Sequence, residues 1–340
     1  MEIRKCTVAD YPEFLNILNE VFGYGRTREW FQKDLPQCTP YPNIVTIEEI
    51  QRHWLCIIDG RIAGGLGAYP LDWVVCDAKG EERVISIYGI GQVCCLPEYR
   101  NQGVMSALMK AAEDEMYNLG RTVGYLHGDR RRYGYFGYDF AGNMVSYHMD
   151  YKLLQLAASP NVTIRAASLE DWQEIDTVYR TQPSYIKRST RYWEMQFARE
   201  CVEWFIGECN GNKGYMCVQH GNISEAYGDP CVVAAMFVDR ANGLEEGKTL
   251  SVTYGAQDII TTPVGQMIYT AAEGVRSNSA GLFAVKNVEK MLDELEVGHI
   301  GLSPDDKEDM ARQLINFAPL PKRVPNVQPI CAWISGVDSI

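Results

Sequence analysis

The spacing of apolar and polar positions changes several times along this chain, and each change marks an element. Leu55 to Ile58 and Ile62 to Leu71 are apolar runs separated by Asp59-Gly60, which predicts a hairpin. Trp73 to Asp77 and Arg83 to Ile90 read as two further strands, joined by the polar turn from Ala78 to Glu82. Val93 to Leu96 is a short apolar run stopped by Pro97, as expected of a central strand. From Gly103 the spacing becomes helical. Leu108, Ala111, Ala112, Met116 and Leu119 share one face, with Lys110, Glu113, Asp114 and Asn118 opposite. Gly120 ends this helix, and Val123 to His127 returns to a strand. Beyond the midpoint, 214–219, 231–238 and 249–254 are expected as strands. The texture changes again from Leu282 to Leu295, and Ser303-Pro304-Asp305-Asp306 opens a helix to Asn316. Pro319, Pro321 and Pro325 keep the following stretch extended.

One segment recurs. Glu2 to Phe14 aligns without gaps on Thr163 to Ile175, matching Ile3 with Ile164, Arg4 with Arg165, Asp10 with Asp171 and Glu13 with Glu174. Each copy reads as a short strand followed by a helix start. Thr7 and Ser168 stand at N-cap positions, each with an Asp three residues on, as in a capping box. The repeat implies two similar units, expected over 1–155 and 161–281 with a C-terminal segment over 282–340. A length of 340 residues suits two or three domains.

Charge and composition narrow the chemistry. With 32 Lys and Arg against 44 Asp and Glu, the net charge of −12 argues against a general nucleic-acid binder and suits a cationic small substrate. No apolar run approaches the roughly 20 residues that span a bilayer. The opening Met-Glu-Ile-Arg-Lys-Cys-Thr lacks the apolar core of a signal peptide, so a cytoplasmic protein is expected, with no membrane partner. Eleven cysteines without zinc-type spacing read as reduced, mostly buried thiols, and no metal is expected.

The chemistry concentrates between Ile85 and Phe140. There a strand meets Pro97, a tight Arg100-Asn101-Gln102-Gly103 loop follows, and a helix opens at Val104. The first amides of a helix have no intrahelical partner, and the helix dipole adds about half a positive charge there. Such a loop beside Arg100 makes a seat for a phosphate or pyrophosphate. Gly89 and Gly91, just upstream, tolerate a bulge and close approach of a ligand to the strand. Arg130-Arg131-Arg132 is either a solvated turn or the source of one more phosphate contact. Phosphate-loop, His-Glu-x-x-His and Gly-x-Ser-x-Gly motifs are absent, and Gly64-Gly65-Leu66-Gly67 leads into no helix, so a dinucleotide-binding reading fails.

The order strand, Pro97, Arg100-x-x-Gly103-x-Met105, helix, strand and Tyr133-Gly-Tyr-Phe-Gly-Tyr138 resembles the acyl-CoA core of the GNAT N-acetyltransferases. Met105, where the family signature has a small residue, together with the tyrosine-rich turn, looks most like the enhanced-intracellular-survival (Eis) branch. The resemblance implies an α/β (α+β) GNAT fold, a mixed sheet flanked by helices, repeated as two tandem GNAT-like domains. It implies an enzyme with acetyl-CoA as co-substrate, seated on Val93, Cys94, Cys95, Arg100, Asn101, Gln102, Gly103, Val104, Met105 and Ser106. The second half shows no Arg/Gln-x-x-Gly-x loop after a strand and is expected to keep the fold without that seat. Only some 60 residues stand where Eis-type proteins carry a sterol-carrier-like domain, which is therefore reduced or absent.

Within that resemblance, Tyr133 protonates the departing thiolate, and the terminal carboxylate of Ile340 enters the active site as base, with His127 as its rival. Phe22, Tyr24, Trp30 and Phe31, near Glu20, are either acceptor-pocket residues or core. Cys94 and Cys95 could alternatively accept the acyl group themselves, but neither has a histidine nearby in sequence. Aminoglycosides, polyamines and lysyl amines are the acceptor classes the resemblance implies, and a homo-oligomer is the assembly. The rival function is an acyl-CoA sensor or protein-interaction module that binds without turnover.

Overall fold

The computed structural model describes residues 1–23, 29–77, 79–244, 249–256, 261–315 and 317. Two sheets organise it. The first joins β1 (Glu2–Lys5), β2 (His53–Ile58), β3 (Arg61–Cys76), β4 (Glu82–Cys95), β5 (Val123–Leu126) and β6 (Asp139–Ala141). The second joins β7 (Met144–Met149), β8 (Thr163–Ala166), β10 (Val202–Cys209), β11 (Asn212–Gln219), β12 (Asn222–Gly228), β13 (Ser251–Gly255) and β14 (Ala272–Asn278). Two more strands, β9 (Ser184–Ile186) and β15 (Gly281–Val285), belong to the first sheet. Helices α1 (Tyr11–Gly23), α2 (Trp30–Asp34), α3 (Ile47–Ile50), α4 (Val104–Asn118) and α5 (Arg130–Tyr133) accompany the first sheet. Then come α6 (Tyr151–Ala157), α7 (Trp172–Tyr179), α8 (Thr190–Phe197) and α9 (Pro230–Asn242).

The strand orders are β1-β2-β3-β4-β5-β15-β6 and β8-β10-β11-β12-β13-β7-β14. Position by position these are the same arrangement, with one parallel pair in each, β4–β5 and β12–β13. The two sheets exchange strands. β7 leaves the first half to lie between β13 and β14, and β15 returns to fill the gap between β5 and β6. Such a mixed α/β plan, helices over two mixed sheets, agrees with the fold expected from the sequence.

The repeated segment folds alike twice. Arg4 clasps Asp10 through two bonds of 2.6 and 2.9 Å, and Arg165 clasps Asp171 through two of 2.9 and 2.7 Å. In both copies the aspartate also accepts the N-cap amide, from Thr7 at 2.9 Å and Ser168 at 2.8 Å.

Three expectations change. Residues 231–238 are not a strand but the middle of α9, because Asp229 caps the amides of Cys231 and Val232 and Pro230 fits the first helical turn. A continuous apolar run has no period that separates a buried helix from a strand. The segments read as separate strands on either side of 72 and 91 are the long continuous strands β3 and β4, which pair from Gly64↔Cys95 to Cys76↔Glu82. Leu119 lies exposed at the end of α4, and Met109 is buried in its place.

Helix α4 covers one face of the first sheet through Val104, Leu108, Met109, Ala112 and Met116. Its Glu115 is tied to the sheet by Lys5, by the Trp54 indole at 2.7 Å and by the Tyr88 hydroxyl at 2.5 Å. The opposite face is covered by the C-terminal helices Val288–Glu294 and Pro304–Leu314, whose Met291, Leu292, Met310 and Leu314 pack with Trp73, Ile85, Ile87 and Tyr125. No described helix is long and apolar enough to cross a membrane. The ten described cysteines are all free, but only five are buried and Cys231 is exposed.

Candidate active site

The first sheet opens where β4 and β5 part. Their parallel ladder runs only from Ile87↔Val123 to Gly89↔Tyr125, while β4 continues to Cys95. At Gln92, whose φ is 54°, β4 carries one extra residue opposite β3, so the register shifts between Gly65 and Gly67. This is the bulge anticipated near Gly89 and Gly91. It twists the strand and turns its free edge outward. The Gln92 side chain is fixed by the hydroxyl of Tyr69, which also lies 3.3 Å from His53 Nε2.

Beyond the bulge the chain turns tightly. Pro97–Tyr99 forms a single 3-10 turn, Asn101 adopts φ 63° and Gly103 φ 80°, and α4 begins at Val104. A side chain at 103 would be strained by that backbone even though the space beside it is empty. The first intrahelical bond here is Ala107 N–H to Gly103 O, 3.0 Å, so the amides of Val104, Met105 and Ser106 precede it. Thr46, Asp150, Ser189, Asp229 and Ser303 each cap a helix with a side-chain oxygen, whereas Gly103 offers none. An anion is the natural substitute.

A cleft of about 580 Å³ runs along this edge and over the helix N-terminus. Val93, Cys94, Cys95, Arg100, Asn101, Gly103, Val104, Met105 and Ser106 line it. Of the residues expected at the cofactor seat, Gln102 alone is outside, its amide turned back to donate to Glu98 O at 3.1 Å. Val21, Phe22 and Tyr99 complete the wall. Val21 and Tyr99 carry no sequence signal. The arginine triplet sorts itself by geometry. Arg130 bonds Asp139 at 3.1 Å and Arg131 bonds Asp129 at 3.0 Å, while Arg132 reaches the cleft with no carboxylate partner among the described residues.

Tyr133, the last residue of α5, packs edge-on to Tyr138 at 6.4 Å and joins the apolar cluster that includes Val93, Cys95, Tyr99 and Met105. Burial raises its pKa above the ordinary tyrosine value, although the Arg132 charge opposes the shift. At neutral pH it therefore keeps its proton. His127 stands just past β5, its Nε2 2.6 Å from the Tyr125 hydroxyl. Desolvation lowers its pKa, which favours the neutral imidazole. Burial pushes the Cys94 thiol up to about 12 and raises that of Cys95, so neither is a ready nucleophile.

Phe22, Trp30 and Phe31 form an aromatic group beside the cleft, with ring centroids 5.4 and 4.6 Å apart. Phe31 is core, Phe22 is half-buried on the cleft wall, and Glu20 is exposed. Tyr24 and Ile340 lie outside the described residues.

A profile described as the GNAT acetyltransferase domain matches residues 2–141. No curated protein matches the sequence. Among solved structures, a probable N-acyltransferase of Enterococcus faecalis V583 is similar with a TM-score of 0.63 at 18% identity, over 86% of this chain and 74% of that one. A GCN5-related N-acetyltransferase from Kribbella flavida gives 0.62 at 14% identity, over 84% and 71%. Eis1 from Mycobacterium abscessus gives 0.59 at 14% identity, over 86% and 76%. At these identities the likeness establishes the fold.

Proposed function

We propose, from the GNAT acetyltransferase profile that matches residues 2–141, that this chain is an acetyl-CoA-dependent acyltransferase that acetylates a primary amine by direct attack in a ternary complex. The observation that carries the proposal is the parting of β4 from β5 after Gly89, which leaves the edge from Val93 to Cys95 facing a cleft that ends at an uncapped helix. The diphosphate of acetyl-CoA is assigned to the amides from Asn101 to Ser106, with Arg100 and Arg132 supplying countercharge. The pantetheine arm then lies along the β4 edge like an added strand, and an amide there polarises the thioester carbonyl.

In the reaction the amine nitrogen attacks the thioester carbon. The new C–N bond forms as the carbonyl pair moves to oxygen, and collapse of that oxyanion breaks the C–S bond. The departing thiolate takes the proton of Tyr133, and the amine gives its proton to a base. The products are an N-acetyl amine and CoA. Burial of Tyr133 and its place beside the cleft support the acid role. Neutral His127 supports a base on the described side of the site, and the carboxylate of Ile340 is the competing assignment. The surplus of acidic groups in the chain supports a cationic acceptor of the aminoglycoside, polyamine or lysyl type.

The test is thiol release from acetyl-CoA with a panel of these three amine classes. Turnover with at least one class is expected. Tight CoA binding without turnover on any amine would replace this reading with that of an acyl-CoA sensor.

A further inference from the structure

A second cluster of reactive side chains lies away from the β4 edge, where the two halves meet. Asp34 ends α2, Cys201 precedes β10, and His220 occupies the turn between β11 and β12. Their ligand atoms lie within 4.8 Å of one another. We propose that Asp34, Cys201 and His220 bind one divalent cation of the zinc class, and that the cation staples the first half of the chain to the second. The proposal is independent of the acetyl-transfer reading.

Three observations support it. The first is the donor set: one carboxylate oxygen, one sulfur and one imidazole nitrogen are the ligand types zinc selects. The second is spacing. Tetrahedral zinc with bonds of about 2.0 to 2.3 Å holds its ligand atoms about 3.3 to 3.8 Å apart, and His220 Nε2 lies 3.3 Å from Asp34 Oδ2. The third is an unmet need. Asp34 is only 7% exposed, and its buried Oδ2 accepts no hydrogen bond among the described residues. Its close charged contact is His220 Nε2, an ion pair only if the imidazole is charged, and an ion between the two would satisfy both.

The backbone holds the three ligands in place. His220 N–H bonds Cys201 O at 2.9 Å, and Glu200 N–H bonds Lys33 O at 3.0 Å. Arg199 Nε bonds the backbone carbonyl of Asp34 at 2.7 Å, leaving the carboxylate to face the other two ligands. Of the nearby cations, Lys33 is paired with Glu200 at 3.1 Å, while Arg199 bonds Asp34 O and Gln196 Oε1 at 3.0 Å and also lies against the Cys201 thiol, from which the ion would displace it. The His220 side chain is 57% exposed, so the ion has an entry path and a fourth position open to water. On binding, the Cys201 thiol loses its proton to solvent as the S–Zn bond forms, with no change in oxidation state.

The experiment uses the full chain, stripped with chelator and dialysed against Zn²⁺. Wild type should bind one equivalent more than Cys201→Ser or His220→Ala, with affinity at least tenfold lower in each variant. With Co²⁺ as probe, wild type should show a near-ultraviolet sulfur-to-cobalt charge-transfer band that Cys201→Ser lacks. If Cys201→Ser folds poorly, His220→Gln on its exposed turn carries the same comparison. Equal zinc in wild type and variants, or a cobalt spectrum without the thiolate band, would overturn the proposal.

Discussion

Gly128 makes the room that the ring of Tyr133 occupies: a Cβ at 128 would lie 2.4 Å from Tyr133 Cε2. Such an approach is impossible without moving the ring. Gly128→Ala should therefore shift the Tyr133 hydroxyl, lowering kcat by roughly tenfold on the scale expected for a misplaced acid. The KM for acetyl-CoA should hardly change, because the diphosphate is assigned to the loop after β4 and the start of α4. Steady-state kinetics decide it, and a KM effect alone would argue that residue 128 serves binding.

Removing the hydroxyl outright is the sharper test of the acid. Tyr133→Phe should cut turnover by about tenfold or more and leave CoA affinity intact. Because burial raises the tyrosine pKa, the group stays protonated through neutral and mildly alkaline pH. The ratio of wild-type to variant rates should accordingly be flat from about pH 6 to about 9. A ratio that collapses within that window would assign the proton to another group.

The three consecutive arginines should behave differently. Arg132→Ala is expected to weaken CoA binding several-fold, consistent with about 1 to 2 kcal/mol for one charge-assisted phosphate contact. Arg131→Ala should leave it unchanged, since Arg131 is engaged with Asp129. Calorimetric titration with CoA separates the two, and equal effects would mean that only the net charge of the turn matters.

In the second half, Arg188 and Glu225 form a buried bidentate pair at 3.0 and 2.9 Å, with the guanidinium 3.8 Å over the Tyr179 ring. Breaking one side leaves the other charge stranded in the core. Glu225→Gln should cost about 3 to 5 kcal/mol, read as a lower urea midpoint at unchanged slope.

The repeated Arg–Asp clasp gives a pH signature. The bond from Arg165, with that from the Ser168 amide, lowers Asp171 from 3.8 to about 2. A carboxyl depressed on folding stabilises the protein above its unfolded pKa, and that contribution drains away as pH falls through the folded value. The stability gap between wild type and Asp171→Asn should be full above about pH 5 and close as pH approaches about 2. Chemical denaturation at several pH values measures it. A gap that persists at the acid end would mean that Asp171 acts by shape and not by charge.

How far the chain could be read in advance depended on the range of each interaction. The clasp, the capping boxes and the stop at Gly120 are built from residues within seven positions of one another, so their spacing is visible in the string. The proposed cofactor seat is local for the same reason: Arg100 to Ser106 is one short loop and one helix start. The Gln102 side chain turns away from the cleft because a backbone carbonyl a turn earlier, Glu98 O, competes for its amide. Val21 and Tyr99 reach the cleft only through tertiary packing, and nothing in their neighbourhood signals it. The exchange of β7 and β15 was invisible because alternation along a strand records which face is buried and not which sheet receives it. Asp34, Cys201 and His220 are far apart in sequence, so no ligand motif could announce them.

The placement of β15 has a consequence for how the protein is made. β5 is the strand from which β4 parts beside the cleft, yet its outer neighbour is Gly281–Val285, translated some 155 residues later. A nascent chain that has finished Phe140 still holds an incomplete first sheet, and the proposed acetyl-CoA seat must wait for the whole second half to emerge before its supporting layer closes. Separately expressed halves, cut anywhere near residue 160, would each be missing a staff of the other's ladder.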